Sequence, residues 1–154
     1  MMEDIRLLAQ DLRPPALDTV GLVPAIEGLC RTFGKRTQLS VQFEADDVRD
    51  LPDAASTCLY RFLQEALTNV AKHANAHRVQ VTLGYREAEV CLSVEDDGSG
   101  FASRGGASAT DWPTGLGLLG MAERLDALGG RLEVRSRSGY GATVVAHLPI
   151  GDTA

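Results

Sequence analysis

The chain is organised around Val90-Cys91-Leu92-Ser93-Val94-Glu95-Asp96-Asp97-Gly98-Ser99-Gly100, in which an alternating apolar run ends in acids and glycines. The alternation predicts a strand with one buried face. Glycines at 98 and 100 let the backbone approach a ligand closely. A carboxylate offers only acceptors, so Asp96 suits a ligand that donates a hydrogen, such as an amine. Asp and Gly are equally typical of an ordinary turn, so the stretch alone leaves both interpretations open.

The chain has 154 residues, of which 44% are hydrophobic and 23% charged, and this indicates a soluble protein of one globular domain, or of one domain with a short appendage. No apolar run approaches the length of a membrane span, and the N-terminus lacks a signal-peptide pattern. Three widely spaced cysteines outside any Cys-x-x-Cys pattern predict neither a disulfide framework nor a zinc site, and they favour a reducing cytoplasm. A net charge of −6 argues against nucleic acid as a partner, and any polyanionic ligand then needs local donors and a cation.

Residues 1–33 are predicted to be helical, with an interruption at Pro14-Pro15. Asp18 or Thr19 is expected to cap the helix that restarts near Gly21-Leu22. The apolar stripe of the first part is typical of a docking or oligomer surface. The apolar positions of these predicted helices are Ile5, Leu8 and Leu12 in the first helix and Val23, Ile26, Leu29, Cys30 and Phe33 in the second. After the helices, a strand is predicted at 39–43.

The strongest helical pattern runs from Asp53 to about Ala74. Glu65, Asn69 and Lys72 form a polar stripe beside the apolar face, where it borders either a pocket or ordinary solvent. His73 and His77, near the helix end, are typical of C-terminal caps. The predicted core positions are Leu59, Phe62, Leu63, Ala66 and Val70.

Two hairpins follow, the first from 79–85 and 90–94 and the second from 131–136 and 142–148. His147 falls at an alternating strand position, which favours a structural role. Between the hairpins, 101–114 has no periodic pattern and is typical of a mobile lid or binding loop, in which Trp112-Pro113 is either an anchor or a buried structural element.

Gly115-Leu116-Gly117-Leu118 leads into a helix predicted at 122–128 and stopped by Gly129-Gly130. Glycines before a helix N-terminus free backbone amides for an anion, although a flexible loop has the same composition. The order of elements predicts an α/β two-layer sandwich, a mixed and mostly antiparallel sheet packed on helices, with a nucleotide pocket at its rim.

Four stretches in this order resemble the N, G1, G2 and C-terminal glycine-threonine boxes of the sensor histidine kinase ATP-binding domain, which shares the Bergerat-type fold of gyrase and MutL ATPases. They are Glu65-Ala-Leu-Thr-Asn69-Val-Ala-Lys72-His73, Asp96-Asp-Gly98-Ser-Gly100, Gly115-Leu116-Gly117-Leu118 and Gly139-Tyr-Gly141-Ala-Thr143. Leu12-Arg13-Pro14-Pro15 further resembles the end of the second dimerisation helix in the nitrate-sensor subgroup. The resemblance implies a helical segment over 1–35 and an ATP-binding catalytic domain over 36–150.

The resemblance also implies a role for each matching residue. Asn69 would ligate Mg²⁺, Asp96 would bind the adenine amine of ATP with Gly98 and Gly100 beside it, and 101–114 would be the ATP lid. Catalytic roles would fall to Glu65, Lys72 and His73, with Glu65 polarising the nucleophile and the other two lining the phosphates. The phosphates would lie against Gly115, Leu116, Gly117 and Leu118, and Thr143 would support Asp96.

The acceptor of such kinases is a histidine followed by an acidic residue, and His73, His77 and His147 all lack that neighbour. The sequence is therefore expected to be a fragment that binds Mg-ATP without phosphorylating itself. Its expected partners are a dimerisation domain, in its own or a partner subunit of a homodimer, and a response regulator. It is expected to be cytoplasmic, with a parent protein that is free or membrane-anchored. An anti-sigma-factor-type serine kinase and a nucleotide-gated interaction module remain the alternatives.

Overall fold

The computed structural model describes residues 14–46, 51–98, 118–137 and 141–150. Its helices are α1 (Pro15–Val20), α2 (Leu22–Thr37), α3 (Asp53–Asn69) and α4 (Leu118–Ala127), and a π-helical turn, Val70–Ala74, continues α3. Its strands are β1 (Ser40–Ala45), β2 (Arg78–Arg86), β3 (Glu89–Asp96), β4 (Arg131–Arg137) and β5 (Gly141–Pro149).

The five strands form one mixed sheet in the order β1-β2-β3-β5-β4. β1 runs parallel to β2, which the intervening α3 makes possible, and the other three pairings are antiparallel. Both predicted hairpins, β2–β3 and β4–β5, are therefore confirmed. In the central pair, Asp96 of β3 lies opposite Ala142 of β5, and this register decides what surrounds the acid.

The helices cover one face of the sheet, so the structure has the predicted two layers. Every second residue of β3 points at the helices and is buried, as strand alternation requires. All five predicted core positions of the long helix are buried, as are Ile26, Cys30 and Phe33 of α2. The apolar face of the long helix is confirmed, and so is that of α2, where Val23 and Leu29 are half-buried and pack against the same core. The apolar stripe predicted for the first helix lies outside the described residues. Because α2 belongs to the same core as α3 and the sheet, the predicted boundary between residues 35 and 36 stays a prediction.

Two predicted helix starts are wrong. The N-cap of α2 is Gly21, which has a φ of 86° and no capping side-chain hydrogen bond, so neither Asp18 nor Thr19 is the cap. Glycine adopts this backbone conformation without the steric penalty that other residues meet. The predicted start of α4 at Ala122 is four residues late, because Leu118 to Met121 are already helical. The predicted first helix and the predicted lid lie outside the described residues.

Candidate functional site

Asp96 lies at the end of β3 and is buried, with 7% of the residue exposed. Its Oδ1 accepts a hydrogen bond from the amide of Gly98 at 2.8 Å, and the amide of Ala142 also donates to the carboxylate. Burial raises the pKa of Asp96, while the two amides act in the opposite direction. Two amides use only part of the acceptor capacity of a carboxylate. The remainder is available to a donor on a ligand.

The neighbouring Asp97 has a different environment. Its side chain is exposed, and its Oδ1 accepts hydrogen bonds from the amides of His77 at 2.8 Å and Arg78 at 2.9 Å. The amides of Arg78 and His77 lower the pKa of Asp97. Asp97 therefore connects the end of β3 to the start of β2 through these two hydrogen bonds. Sequence reasoning missed this role, because the two amides lie 19 and 20 residues earlier in the chain.

Gly141 allows β5 to approach the end of β3. Its φ is 89°, and a Cβ placed on it would lie 2.1 Å from the carbonyl oxygen of Asp96 and 3.3 Å from the Cα of Asp97. No side chain fits there unless the backbone moves. The sequence motif contained this glycine, but only the register shows that its absent side chain makes room for Asp96.

Asn69 and Glu65 lie on α3, one turn apart. Asn69 is the last residue of α3 and is 8% exposed, which is unusual for a polar side chain. The π-helical turn that follows ends at Ala74, and the next residue, Asn75, has a φ of 54°. Such turns are frequent at functional sites. Lys72 lies in this turn and is exposed, and His73 belongs to the same turn.

Glu65 lines a cavity of about 270 Å³ between α3 and α4. α4 begins at the end of the glycine-rich stretch, so the cavity has the predicted catalytic acid on one side and the helix after the predicted phosphate loop on the other. Two arginines also border it, which sequence reasoning did not single out. The lining residues are Cys58, Arg61, Phe62, Gln64, Glu65, Gly120, Met121, Arg124 and Leu125.

Asp96 and Thr143 line a separate depression of about 340 Å³ at the end of the central strands. In the ladder, however, Thr143 lies opposite Glu95, whereas Ala142 lies opposite Asp96. Adjacent strand residues point to opposite faces, so the contact that Asp96 receives from β5 comes from the Ala142 backbone. The supporting role predicted for Thr143 stays a prediction.

The structure therefore brings Gly98 directly to Asp96, and it brings Glu65 to the face of α4. Gly100, Gly115, Leu116 and Gly117 lie outside the described residues, as does the lid; Leu118 is described as the first residue of α4.

Comparison with known proteins assigns the family. Residues 54–152 match the family of histidine kinase-, DNA gyrase B- and HSP90-like ATPases. The chain belongs to this ATPase family. The matched region includes Glu65, Asn69, Asp96 and Thr143, and ATP is the nucleotide that domains of this family bind.

Curated relatives of this ATPase domain are sensor kinases. The sensor histidine kinase MctS of Rhizobium johnstonii is 39% identical over 150 residues, covering 96% of this chain and 32% of that protein. The oxygen sensor histidine kinase NreB of Staphylococcus carnosus is 34% identical over 155 residues, covering 99% of this chain and 43% of that protein. The chain thus spans less than half the length of either relative.

Solved structures show the same fold at low sequence identity. A blue-light activated histidine kinase of Erythrobacter litoralis matches with a TM-score of 0.70 and 23% identity, over 86% of this chain and 42% of that one. The catalytic domain of histidine kinase ThkA matches with a TM-score of 0.64 and 21% identity, over 83% of this chain and 89% of that one. The predicted fold class is confirmed. Among the described helices of this ATPase domain, none has the length and apolarity needed to cross a bilayer.

Proposed function

We propose that this ATPase domain is the catalytic part of a two-component sensor histidine kinase. It would donate the γ-phosphoryl group of Mg-ATP to a histidine on a dimerisation helix outside this sequence, for relay to a response regulator. The observation that carries the proposal is the buried Asp96 carboxylate, positioned by the amides of Gly98 and Ala142 and with acceptor capacity to spare. This is the chemistry that recognises the exocyclic amine of adenine.

The other nucleotide contacts are assigned by motif position. Gly98 and Gly100 would border the adenine, and Gly115, Leu116, Gly117 and Leu118 would lie against the phosphates, with Thr143 supporting the adenine end. The hydrogen bond from the Gly98 amide to the Asp96 carboxylate supports the assignment of Gly98 to the adenine end.

Magnesium fits the donor set near the end of α3. The Asn69 side chain offers a carbonyl oxygen, a hard ligand of the kind Mg²⁺ accepts while keeping several waters. A net charge of −6 makes the overall field unfavourable for ATP, so a divalent cation and local cations are needed. Lys72, exposed in the turn after Asn69, is one such cation. Bound Mg²⁺ would neutralise charge that develops on the transferred phosphoryl group.

Phosphoryl transfer consists mostly of positioning and charge stabilisation. Glu65 borders the cavity between α3 and α4 and is half-buried there, where it can accept a hydrogen bond from an incoming nucleophile. His73 and Lys72 would line the phosphate side. The nucleophile must come from another segment or subunit, since none of the three histidines of this chain is followed by an acid.

The partners follow from the same proposal. They are a dimerisation domain that carries the acceptor histidine, in a homodimeric parent protein, and a response regulator. The ATPase domain itself would lie in the cytoplasm. The names of the sensor kinase relatives support this arrangement.

Phosphotransfer to a separate acceptor tests the proposal. The chain is incubated with radiolabelled Mg-ATP and a purified dimerisation domain that carries a histidine followed by an acid. We expect acid-labile, base-stable phosphate on that domain, strongly reduced by Asp96→Asn and retained by Glu95→Gln, whose exposed side chain belongs to the same strand. Acid-stable phosphate would indicate a serine kinase instead. ATP binding without any transfer, to acceptors from several relatives, would indicate a nucleotide-gated interaction module.

The magnesium assignment has its own test. Calorimetric titration of ATP with and without Mg²⁺ is compared for the wild type, Asn69→Ala and the neighbouring Thr68→Ala, after circular dichroism has shown that each variant is folded. We expect Mg²⁺ to strengthen ATP binding in the wild type and in Thr68→Ala but not in Asn69→Ala. Equal Mg²⁺ dependence in all three proteins would contradict Asn69 as the ligand.

A further inference from the structure

A cluster of side chains with metal-ligand chemistry lies on the sheet face opposite the helices. Cys91 of β3 lies directly across the ladder from His147 of β5, and Glu89 precedes Cys91 by two positions on the same face. The side-chain ligand atoms of Glu89, Cys91 and His147 all lie within 4.8 Å of one another. The cluster takes no part in the proposed nucleotide site.

The distances suit a small tetrahedral site. Cys91 Sγ lies 3.1 Å from His147 Nδ1, and the same nitrogen lies 3.8 Å from Glu89 Oε1. Around a zinc ion with bonds of about 2.0 to 2.3 Å, neighbouring ligand atoms are separated by roughly 3.5 Å. The three groups therefore need only small side-chain adjustments to share one ion.

A carboxylate on the next strand orients the histidine. His147 Nε2 lies 2.9 Å from Glu133 Oε1. When Nε2–H donates to this carboxylate, Nδ1 keeps its lone pair and presents it to Cys91 and Glu89. Such a carboxylate behind a ligating histidine is a common device in zinc proteins.

Arginines hold the two carboxylates without blocking the site. Arg131 Nη1 donates to Glu89 Oε2 at 3.0 Å, which leaves Oε1 of Glu89 directed at His147. Arg135 Nε donates to Glu133 Oε2 at 2.6 Å, which leaves Oε1 of Glu133 for the histidine. Each carboxylate thus has one oxygen fixed by an arginine and the other facing the cluster.

We propose that Cys91, His147 and Glu89 bind Zn²⁺, with Glu133 as a positioning residue and water in the fourth position. A thiolate and an imidazole select zinc over Mg²⁺ and Ca²⁺, which take oxygen ligands. Half-buried Cys91 and a Glu89 side chain that is 39% exposed leave an entry path from solvent. The sequence predicted no zinc site, because its cysteines lie outside any Cys-x-x-Cys pattern. Cys91 and His147 are 56 residues apart, and only the β3–β5 register brings them together.

The zinc site would be separate from the nucleotide site. Cys91 and Asp96 lie on opposite faces of β3 and five residues apart, about 16 Å along the strand. The ion would link β3 to β5, the two strands whose ends position Asp96. Zinc is therefore expected to raise the thermal midpoint of unfolding, while loss of the zinc ligands should leave ATP binding intact.

Metal titrations of the full chain test the proposal. Zn²⁺ affinity is measured by competition with a chromophoric chelator for the wild type, Cys91→Ser and His147→Gln. The matched controls are Cys58→Ser, which changes another half-buried cysteine, and His77→Gln, which changes an exposed histidine. We expect stoichiometric binding that falls at least tenfold in Cys91→Ser and His147→Gln and is unchanged in both controls. Glu133→Gln should weaken binding by about tenfold, since loss of such supporting carboxylates typically reduces affinity 10- to 100-fold.

Cobalt substitution identifies the ligands. With Co²⁺ the wild type should show a thiolate-to-cobalt charge-transfer band and the intense visible bands of a tetrahedral site, and Cys91→Ser should lose the charge-transfer band. Absence of that band in the wild type, absence of stoichiometric Zn²⁺ binding, or equal affinities for Cys91→Ser and Cys58→Ser would overturn the proposal. The cluster would then be a hydrogen-bond network only.

Discussion

The inner and outer sides of the end of β3 carry adjacent carboxylates with opposite environments. On the inner side, Asp96 is buried against the helical layer, and burial raises its pKa. On the outer side, Asp97 is exposed, and the amides of Arg78 and His77 lower its pKa. The fold therefore disfavours the charge of Asp96 and favours the charge of Asp97.

This difference separates a binding residue from a structural one. The buried charge of Asp96 lowers the stability of the fold, although two amides hold the carboxylate in position. We expect a bound ligand to offset this energetic cost, because perturbed carboxylates of this kind are typical of binding sites. A carboxylate that accepts two backbone hydrogen bonds from the next strand contributes to folding itself. The two identical side chains lie on opposite sides of the strand end, and the alignment of the neighbouring strands then gives each its partners.

The largest effect is expected from removing the glycine that both acids depend on. In Gly141→Ala, the new Cβ meets the Asp96 carbonyl oxygen, and alanine is strained at a φ of 89°. Strain and overpacking together should lower the free energy of unfolding by about 3 to 5 kcal/mol. Urea unfolding followed by circular dichroism measures this change.

Gly84→Ala is the matched control for this substitution. Gly84 lies in β2, and a Cβ placed there has nothing within 4 Å. It should change the free energy of unfolding by at most about 1 kcal/mol, in the stabilising direction. Similar losses in the two variants would mean that the approach of β5 to Asp96 is not tight.

A smaller effect is expected on the outer side. Asp97→Ala removes the acceptor for two amides and should lower the free energy of unfolding by about 1 kcal/mol, because the exposed position reduces the value of these charged hydrogen bonds. Since its pKa is lowered by folding, the contribution of Asp97 is present above the unfolded-state pKa. It is lost as the pH falls through the folded-state value. Urea unfolding at several pH values tests this, and a loss that does not depend on pH would contradict the assignment.

The smallest effect is expected on the inner side and has the opposite sign. Asp96→Asn should raise the thermal midpoint of the ligand-free chain slightly, because it removes a charge that burial disfavours while two amides partly offset the penalty. The folded-state pKa is raised, so the gain is absent below the unfolded-state pKa. It grows as the pH rises toward the folded-state value. A lower midpoint for Asp96→Asn at neutral pH would show that the charge of Asp96 serves the fold.

The sequence predicted the elements well wherever a period was long and uninterrupted. The apolar positions of α3 repeat every three to four residues and those of β3 every second residue. Each repeat is typical of a single type of secondary structure, so it identifies buried residues such as Leu63 and Leu92 directly. Helix starts were less predictable. Gly21 begins α2 through its backbone freedom, and no preference for a polar cap reveals that.

Features that depend on strand register could not be predicted. The helical period of 3.6 residues gave no indication of the π-helical turn after Asn69. No local sequence pattern predicted the parallel pairing of β1 with β2. Asp97 and Gly141 acquire their roles only when β2 and β5 are aligned with β3. The pairing of Cys91 with His147 likewise could not be predicted, because it depends on how β5 is aligned with β3.

Calorimetric titration of Mg-ATP into the wild type, Asp96→Asn and Glu95→Gln tests the central claim most directly. A lost hydrogen bond to a charged group is worth about 1.5 to 3 kcal/mol, so Asp96→Asn should bind ATP roughly 10- to 150-fold more weakly, while Glu95→Gln should match the wild type. The weaker ATP binding of Asp96→Asn should occur although the ligand-free variant is at least as stable to unfolding as the wild type. Equal ATP affinity in the wild type and a folded Asp96→Asn would show that the buried acid does not recognise the nucleotide.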